Sequence, residues 1–173
     1  LVTACEINRL KNLRPVHIAV HERPTIVYLE GGSAWGQTRI ESTTGMPVFG
    51  LPLASILRVY DYESVDVIKI DVEGAELSAL TNVETLLDVN DKVDFIYESN
   101  STACHARGYT PQRLAARFES LGYKIYSFVD DHLMEFDSTR PQGHVVCDNL
   151  ATKRPVSELS FLPVRPFSSE FAE

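Results

Sequence analysis

Val65-Asp66-Val67-Ile68-Lys69-Ile70-Asp71-Val72-Glu73-Gly74-Ala75-Glu76 is an apolar run that breaks into Asp71, Glu73 and Glu76 around a single glycine. A strand covered on both faces reads as a near-continuous Val/Ile run, so Val65 to Val72 is predicted to be a buried strand. Ligands of open α/β sheets gather at the carboxyl ends of such strands, and Asp71 and Glu73 stand at that end. Side chains alternate along an extended chain, so these two carboxylates, at i and i+2, are expected to face one crevice, and Gly74 permits a sharp exit into a helix. A competing reading has Asp71 and Glu73 only capping that helix, where acidic groups meet unpaired backbone N–H groups and a favourable dipole. Lys69 alternates onto the same face and reads as an ion-pair partner for a neighbouring carboxylate.

The chain around this stretch alternates strands and helices. Val16 to Val20 and Thr25 to Leu29 are short β-rich runs joined by the turn His21-Glu22-Arg23-Pro24. Gly31 to Gly50, rich in Gly, Ser and Thr, is expected to be an irregular loop, with Trp35 as one anchoring aromatic or part of a lid. Leu53 to Tyr60 reads as a short helix, and Ala75 to Asp88 carries Ala79, Leu80, Val83, Leu86 and Leu87 at helical spacing. Val93 to Glu98 is a second apolar strand ending in a carboxylate. A helix then begins at Thr110 as N-cap with Pro111 at its first position and stops at Gly122. Tyr123 to Val129 and His144 to Ala151 are strand candidates that would close the sheet as an antiparallel pair. The order is that of an α/β fold. Leu1 to Leu13 reads as the end of a helix, and Pro155 to Glu173 as an extended or disordered Pro/Ser-rich tail whose Phe161, Leu162 and Phe167 can pack on the domain.

Composition narrows the function. The 173 residues, 44% of them hydrophobic, suffice for one core. A formal net charge of −8 argues against nucleic acid, which requires clustered Lys and Arg. No stretch approaches the roughly 18 consecutive apolar residues that span a bilayer, so a membrane partner is not expected. Cys5, Cys104 and Cys147 form no CxxC pair and suit a reducing cytoplasm. His17, His21, His105, His132 and His144 show no metal-ligand spacing, and no metal site is assigned.

The segment Lys69 to Glu76 resembles the signature of the FkbM family of S-adenosylmethionine-dependent methyltransferases. Other pieces agree in order. Asn12-Leu13-Arg14-Pro15-Val16 leading to Ala19-Val20 resembles that family's third strand, and Leu53 to Leu57 its short helix before the fourth. Glu98-Ser99-Asn100 resembles the end of its fifth strand, Leu121-Gly122-Tyr123 the following turn, and Asp148-Asn149-Leu150-Ala151 its last strand. The resemblance implies a class I methyltransferase, or Rossmann-like, fold with a mostly parallel sheet and a C-terminal antiparallel strand. It also implies S-adenosylmethionine as cofactor, and a hydroxyl acceptor on a sugar or other glycan, a lipid or a secondary metabolite. Residues 1–154 would form the domain and 155–173 the tail.

The resemblance further places His21 and Glu22 beside the adenine, with Asp71 also near the cofactor. Asp71, Glu73 and Glu98 become the candidates to orient or deprotonate the acceptor. The family's glycine-rich cofactor turn and its ribose-binding acid do not occur upstream of residue 8, so the domain is expected to lack its N-terminal strands and to be inactive alone. The exposed edge this would leave beside Val65 to Val72 favours self-association. Two rivals accompany this reading. In one, Asp71, Glu73 and Glu98 gather magnesium for a hydrolase or transferase. In the other, the chain is a non-catalytic remnant of a methyltransferase domain.

Overall fold

Phe95, Tyr97 and Ser99 alternate with Ile96, Glu98 and Asn100 along Asp94–Asn100, and the first set is buried while the second is half-buried. That period of two places Phe95 and Tyr97 under a helical layer. Phe118 stacks on Tyr97 with ring centroids 4.6 Å apart and lies 5.3 Å from Phe95, while Tyr123 meets Phe95 edge-on at 5.4 Å. These aromatic contacts fix where the strand sits beneath the helix that carries Phe118. The computed structural model describes residues 2–31, 38–41, 45–137, 146–159 and 163–165.

In chain order the described elements are α1 (Val2–Ile7), β1 (Ile18–Val20), β2 (Thr25–Gly31), β3 (Thr38–Glu41), β4 (Met46–Leu51), α2 (Leu53–Val59), β5 (Val67–Ile70), α3 (Glu76–Ala79) and α4 (Glu84–Leu87). They continue with β6 (Asp94–Asn100), α5 (Ser101–Ala106), α6 (Pro111–Ser120), β7 (Lys124–Val129), β8 (His132–Glu135), β9 (Val146–Thr152), a short 3-10 turn at Val156–Glu158 and β10 (Val164–Arg165). One sheet has the order β1-β4-β2-β3 and the other β10-β8-β7-β9-β6-β5. Helices α3 to α6 cover the face of the larger sheet that carries Phe95, Tyr97, Ile125 and Ala151. On its other face Tyr126, Leu133, Leu150 and Leu159 form a smaller cluster.

The α/β order holds, but the sheets are mixed. β5–β6, β1–β4 and β8–β10 pair parallel, whereas β2–β3, β2–β4, β6–β9, β7–β8 and β7–β9 pair antiparallel. The mostly parallel sheet expected from the sequence is therefore not the pattern of the described pairings. The antiparallel pairing of β9 with β7 does follow expectation, β9 also pairs antiparallel with β6, and a buried polar network keeps its register. Asn149 accepts from the Ser127 hydroxyl at 2.7 Å and donates to the Ser99 hydroxyl at 3.0 Å, and Thr152 donates to Asp94 at 2.7 Å.

Several local expectations change. β1 and β2 are not hydrogen-bonded to each other, because β4 lies between them. β3 and β4 fall within the stretch from Gly31 to Gly50 read as loop; its Gly, Ser and Thr content masked short runs such as Met46–Leu51 that gain order only by pairing. Trp35 lies outside the described residues. The single helix expected over Ala75 to Asp88 is divided into α3 and α4, since Asn82 takes a left-handed conformation at φ 61° and interrupts the hydrogen-bond ladder. β5 is shorter than Val65 to Val72, and it is the edge strand of its sheet among the described residues: Ile70 is buried while Val67 is 49% exposed. β8 occupies part of what read as a loop, and α5 begins where Asn100 caps it by accepting from Ala103 N–H at 3.1 Å.

The start of α6 is as expected, with Thr110 Oγ1 accepting from Arg113 N–H at 3.3 Å and Pro111 in its first turn. Part of the segment read as an extended tail packs instead: Leu159 is 2% exposed and β10 pairs with β8. Phe161, Leu162 and Phe167 lie outside the described residues. Among the described residues no helix is long and apolar enough to cross a membrane. Truncating Leu159 to Ala opens a cavity in the smaller cluster and should cost about 2–5 kcal/mol of stability. Urea unfolding monitored by circular dichroism measures that loss, and a change near zero would show that the segment does not pack.

Candidate functional site

Beyond Ile70 the backbone reverses within a few residues. Glu73 has φ 51° and Gly74 φ 92°, two successive left-handed residues. A Cβ at Gly74 would stand 2.7 Å from the Ala103 carbonyl oxygen in α5, so glycine is required by both conformation and space. Such a turn leaves backbone N–H groups pointing inward, and a buried donor needs a partner. Glu76, 3% exposed, supplies it: its Oε1 accepts from Gly74 N–H at 3.0 Å and from Val72 N–H at 3.3 Å. The Tyr109 hydroxyl donates to Glu76 Oε2 at 2.8 Å, and its oxygen lies 2.9 Å from the Gly74 carbonyl. Burial first, then the adjacent Glu76 carboxyl, push the Tyr109 phenol far above its ordinary range, so it remains a neutral donor.

This arrangement bears on the capping reading of Asp71 and Glu73. Neither caps α3; the cap position is Ala75, without a side-chain hydrogen bond, and the reach back to the turn comes from Glu76. Asp71 and Glu73 are left for other contacts. Lys69 Nζ lies 3.4 Å from Asp71 and 2.8 Å from Asp148, which gives Lys69 the ion-pair role expected of it and adds Asp148 to the group. Glu98 and Asp148 are directly opposed across β6 and β9. Burial, then repulsion from Asp71, Glu73 and Asp148, raises the Glu98 carboxyl above its ordinary range, while Lys69 pulls it down. Asp71, Glu73 and Glu98 therefore share one electrostatic neighbourhood, with Glu98 on the sheet face opposite Phe95 and Tyr97. Among the described residues no three His, Cys, Asp or Glu side chains come together so as to hold a metal ion.

His21 and Glu22 stand elsewhere. They follow β1 and line a cavity of about 460 Å³ with Gly74, Ala75, Leu77 and Tyr109. His21 is held from two sides: its N–H donates to the Leu51 carbonyl at 2.8 Å, and its Cβ packs at Gly50, where an added Cβ would lie 3.0 Å away. The Glu22 carbonyl accepts from the Asn82 amide at 3.4 Å. The cavity thus opens where the chain leaves both β1 and β5. Asp71, Glu73 and Glu98 do not line it, although Glu73 is the direct neighbour of Gly74. The sequence pointed to His21, Glu22, Asp71, Glu73 and Glu98, but not to Asp148, Arg107, Tyr109 or Arg113. Asp148 lies 79 positions from its partner Lys69, and no local pattern announces such a pair.

Two outcomes follow. Glu76→Ala leaves the Val72 and Gly74 donors without their acceptor and should destabilise the protein by about 3 kcal/mol in urea unfolding, with Glu76→Gln costing less. Because Glu98 binds its proton more tightly in the folded state, its contribution to stability is full below the ordinary glutamate range. That contribution is lost as pH rises through the raised value. A carbon-detected NMR titration should place the Glu98 midpoint above that of an ordinary glutamate, lower in Asp148→Asn and higher in Lys69→Gln. Movement in the opposite directions would refute the carboxylate grouping.

Comparison with known proteins gives no significant match among curated proteins or solved structures. Residues 2–125, well over half of the chain, match the family described as the methyltransferase FkbM domain. That span includes β1, the Asp71 to Glu76 turn, β6 and both cavity-lining loops. The chain belongs to the FkbM methyltransferase family.

Proposed function

We propose that the protein takes part in S-adenosylmethionine-dependent methylation of a hydroxyl group, through a class I, Rossmann-like arrangement centred on β5 and β6. The observation that carries the reading is the meeting of two strand ends: the residues after β1, His21 and Glu22, and those after β5, Gly74 and Ala75, line one cavity in a chain of a methyltransferase family. Carboxyl ends of parallel strands are where such folds seat their ligands. The lining suits an adenosine moiety, since Leu77 offers an apolar surface and Glu22 an acceptor for hydroxyl or amino donors. Asp71, at the same strand end, would approach the cofactor from the other side of the turn.

S-adenosylmethionine, when bound, supplies an activated methyl group to a nucleophile. The rest of the work falls to the protein: aligning the acceptor oxygen and receiving its proton. Glu98 has the raised proton affinity that suits a base, and Asp71, paired with Lys69, is an acceptor for orienting a hydroxyl. Glu73, held in its left-handed turn, directly precedes the cavity-lining Gly74. The magnesium reading has less support, because the described carboxylates do not converge on one point.

Calorimetric titration of S-adenosylmethionine into the chain tests the reading. Saturable binding is expected, weakened about tenfold or more by Glu22→Ala, the loss of one charge-assisted hydrogen bond. With the full-length protein, labelled donor and a panel of sugar, lipid and polyol hydroxyls, Asp71→Asn, Glu73→Gln and Glu98→Gln should each lower transfer, by about a hundredfold for the base. Magnesium heat without donor heat, or unchanged transfer in all three variants, would overturn it.

A further inference from the structure

The helical side of the turn holds a feature that methyl transfer to a neutral hydroxyl leaves unused. The cavity beside His21 adjoins a second, of about 530 Å³, and the two share Leu77, Thr81 and Arg113, making one open groove between α3 and α6. Arg107 stands in the first cavity and Arg117 in the second. In a chain of formal charge −8 this is a local concentration of cations. Their partners differ. Arg117 is engaged, donating to Glu84 at 2.6 Å and to the Leu80 carbonyl at 3.3 Å, which also neutralises the Glu84 carboxylate on the groove wall. Arg113, midway, has an exposed side chain without a hydrogen bond or ion pair among the described residues. The hydroxyl-bearing residues Ser78 and Thr81 line the same wall. Glu22 is the one carboxylate of the groove without a cation partner among the described residues, and it lies at the His21 end.

A planar guanidinium backed by hydroxyl donors suits a group with several acceptor oxygens and a negative charge. We propose that the end of the groove around Arg113, away from His21 and Glu22, receives the anionic group of the methyl acceptor, a phosphate monoester or a carboxylate, with Arg113 as its main cationic partner. Its assignment to the acceptor rests on the methyltransferase reading above; the anion site itself does not. The acceptor would then be an anionic hydroxyl compound, its charge lying on the cavity side of the turn and its hydroxyl reaching toward Asp71 and Glu98.

The test titrates inorganic phosphate alone, and acetate alone, into the full chain at low salt, followed by backbone amide NMR. Saturable shifts centred on Ser78, Thr81 and Arg113 are expected, and whichever anion binds more tightly identifies the group. Arg113→Gln, at an exposed position that does not disturb the core, should weaken binding about tenfold or more. Lys92→Gln, exposed and outside both cavities, should change it less than about twofold. Absence of saturation, shifts scattered over the surface, or equal effects of the two variants would overturn the proposal. Donor binding measured on the same samples separates the two readings. Phosphate bound without S-adenosylmethionine removes only the link to an acceptor, and S-adenosylmethionine bound without either anion removes the groove.

Discussion

The buried carboxyl of Glu76 is the point on which the candidate site turns, because the chain leaving β5 must reverse through two left-handed residues and leaves inward N–H groups that only this side chain satisfies. Tyr109 closes the arrangement from beyond α5, and Gly74 lets the α5 backbone approach to a distance that no Cβ would tolerate. One carboxyl thereby couples a strand end, the helix after it and a segment 33 positions downstream. Each contact is modest alone, yet a buried donor left unpaired costs more than a typical hydrogen bond contributes. The geometry of Asp71, Glu73 and the cavity edge is inherited from this turn.

The turn also divides the electrostatics. On one side Asp71, Glu73, Glu98 and Asp148 repel one another, with Lys69 as the one cation paired to them among the described contacts. On the other, Arg107 and Arg113 face a groove whose wall carries hydroxyls. In the proposed reading, carboxylates on one side of the turn would draw the proton from the acceptor hydroxyl and cations on the other would fix its charge. The family assignment says that methyl transfer is the chemistry to look for; the two-sided site says how these residues would divide the work.

Packing explains why the sheet carries this site. Helices α5 and α6 and the aromatic set Phe95, Tyr97, Phe118 and Tyr123 cover one face, leaving the alternate residues Glu98 and Asn100 on the other. The antiparallel β9 then sets Asp148 opposite Glu98, a like-charge juxtaposition that costs stability and is partly offset by Lys69. Together with burial and the neighbouring Asp71 and Glu73, this juxtaposition raises the proton affinity of a carboxylate at a strand end.

Much of this was legible in the residues themselves. The Val65 to Glu76 pattern, the Thr110-Pro111 start and Gly122 stop of α6, and the apolar run from Val93 to Glu98 are local signals with local causes: strand composition, capping chemistry and glycine's conformational range. They were enough to indicate the α/β class, the family and the turn at Gly74. Only the tertiary structure decided that β4 separates β1 from β2 and that Leu159 is buried. It alone also showed that Glu76, and not Asp71 or Glu73, serves the turn, and that Asp148 and Arg113 join the site. The physical reason is range: periodicity and capping act over a few residues, whereas strand order, cross-sheet charge pairs and cavity walls arise from groups tens of positions apart whose meeting no short pattern encodes.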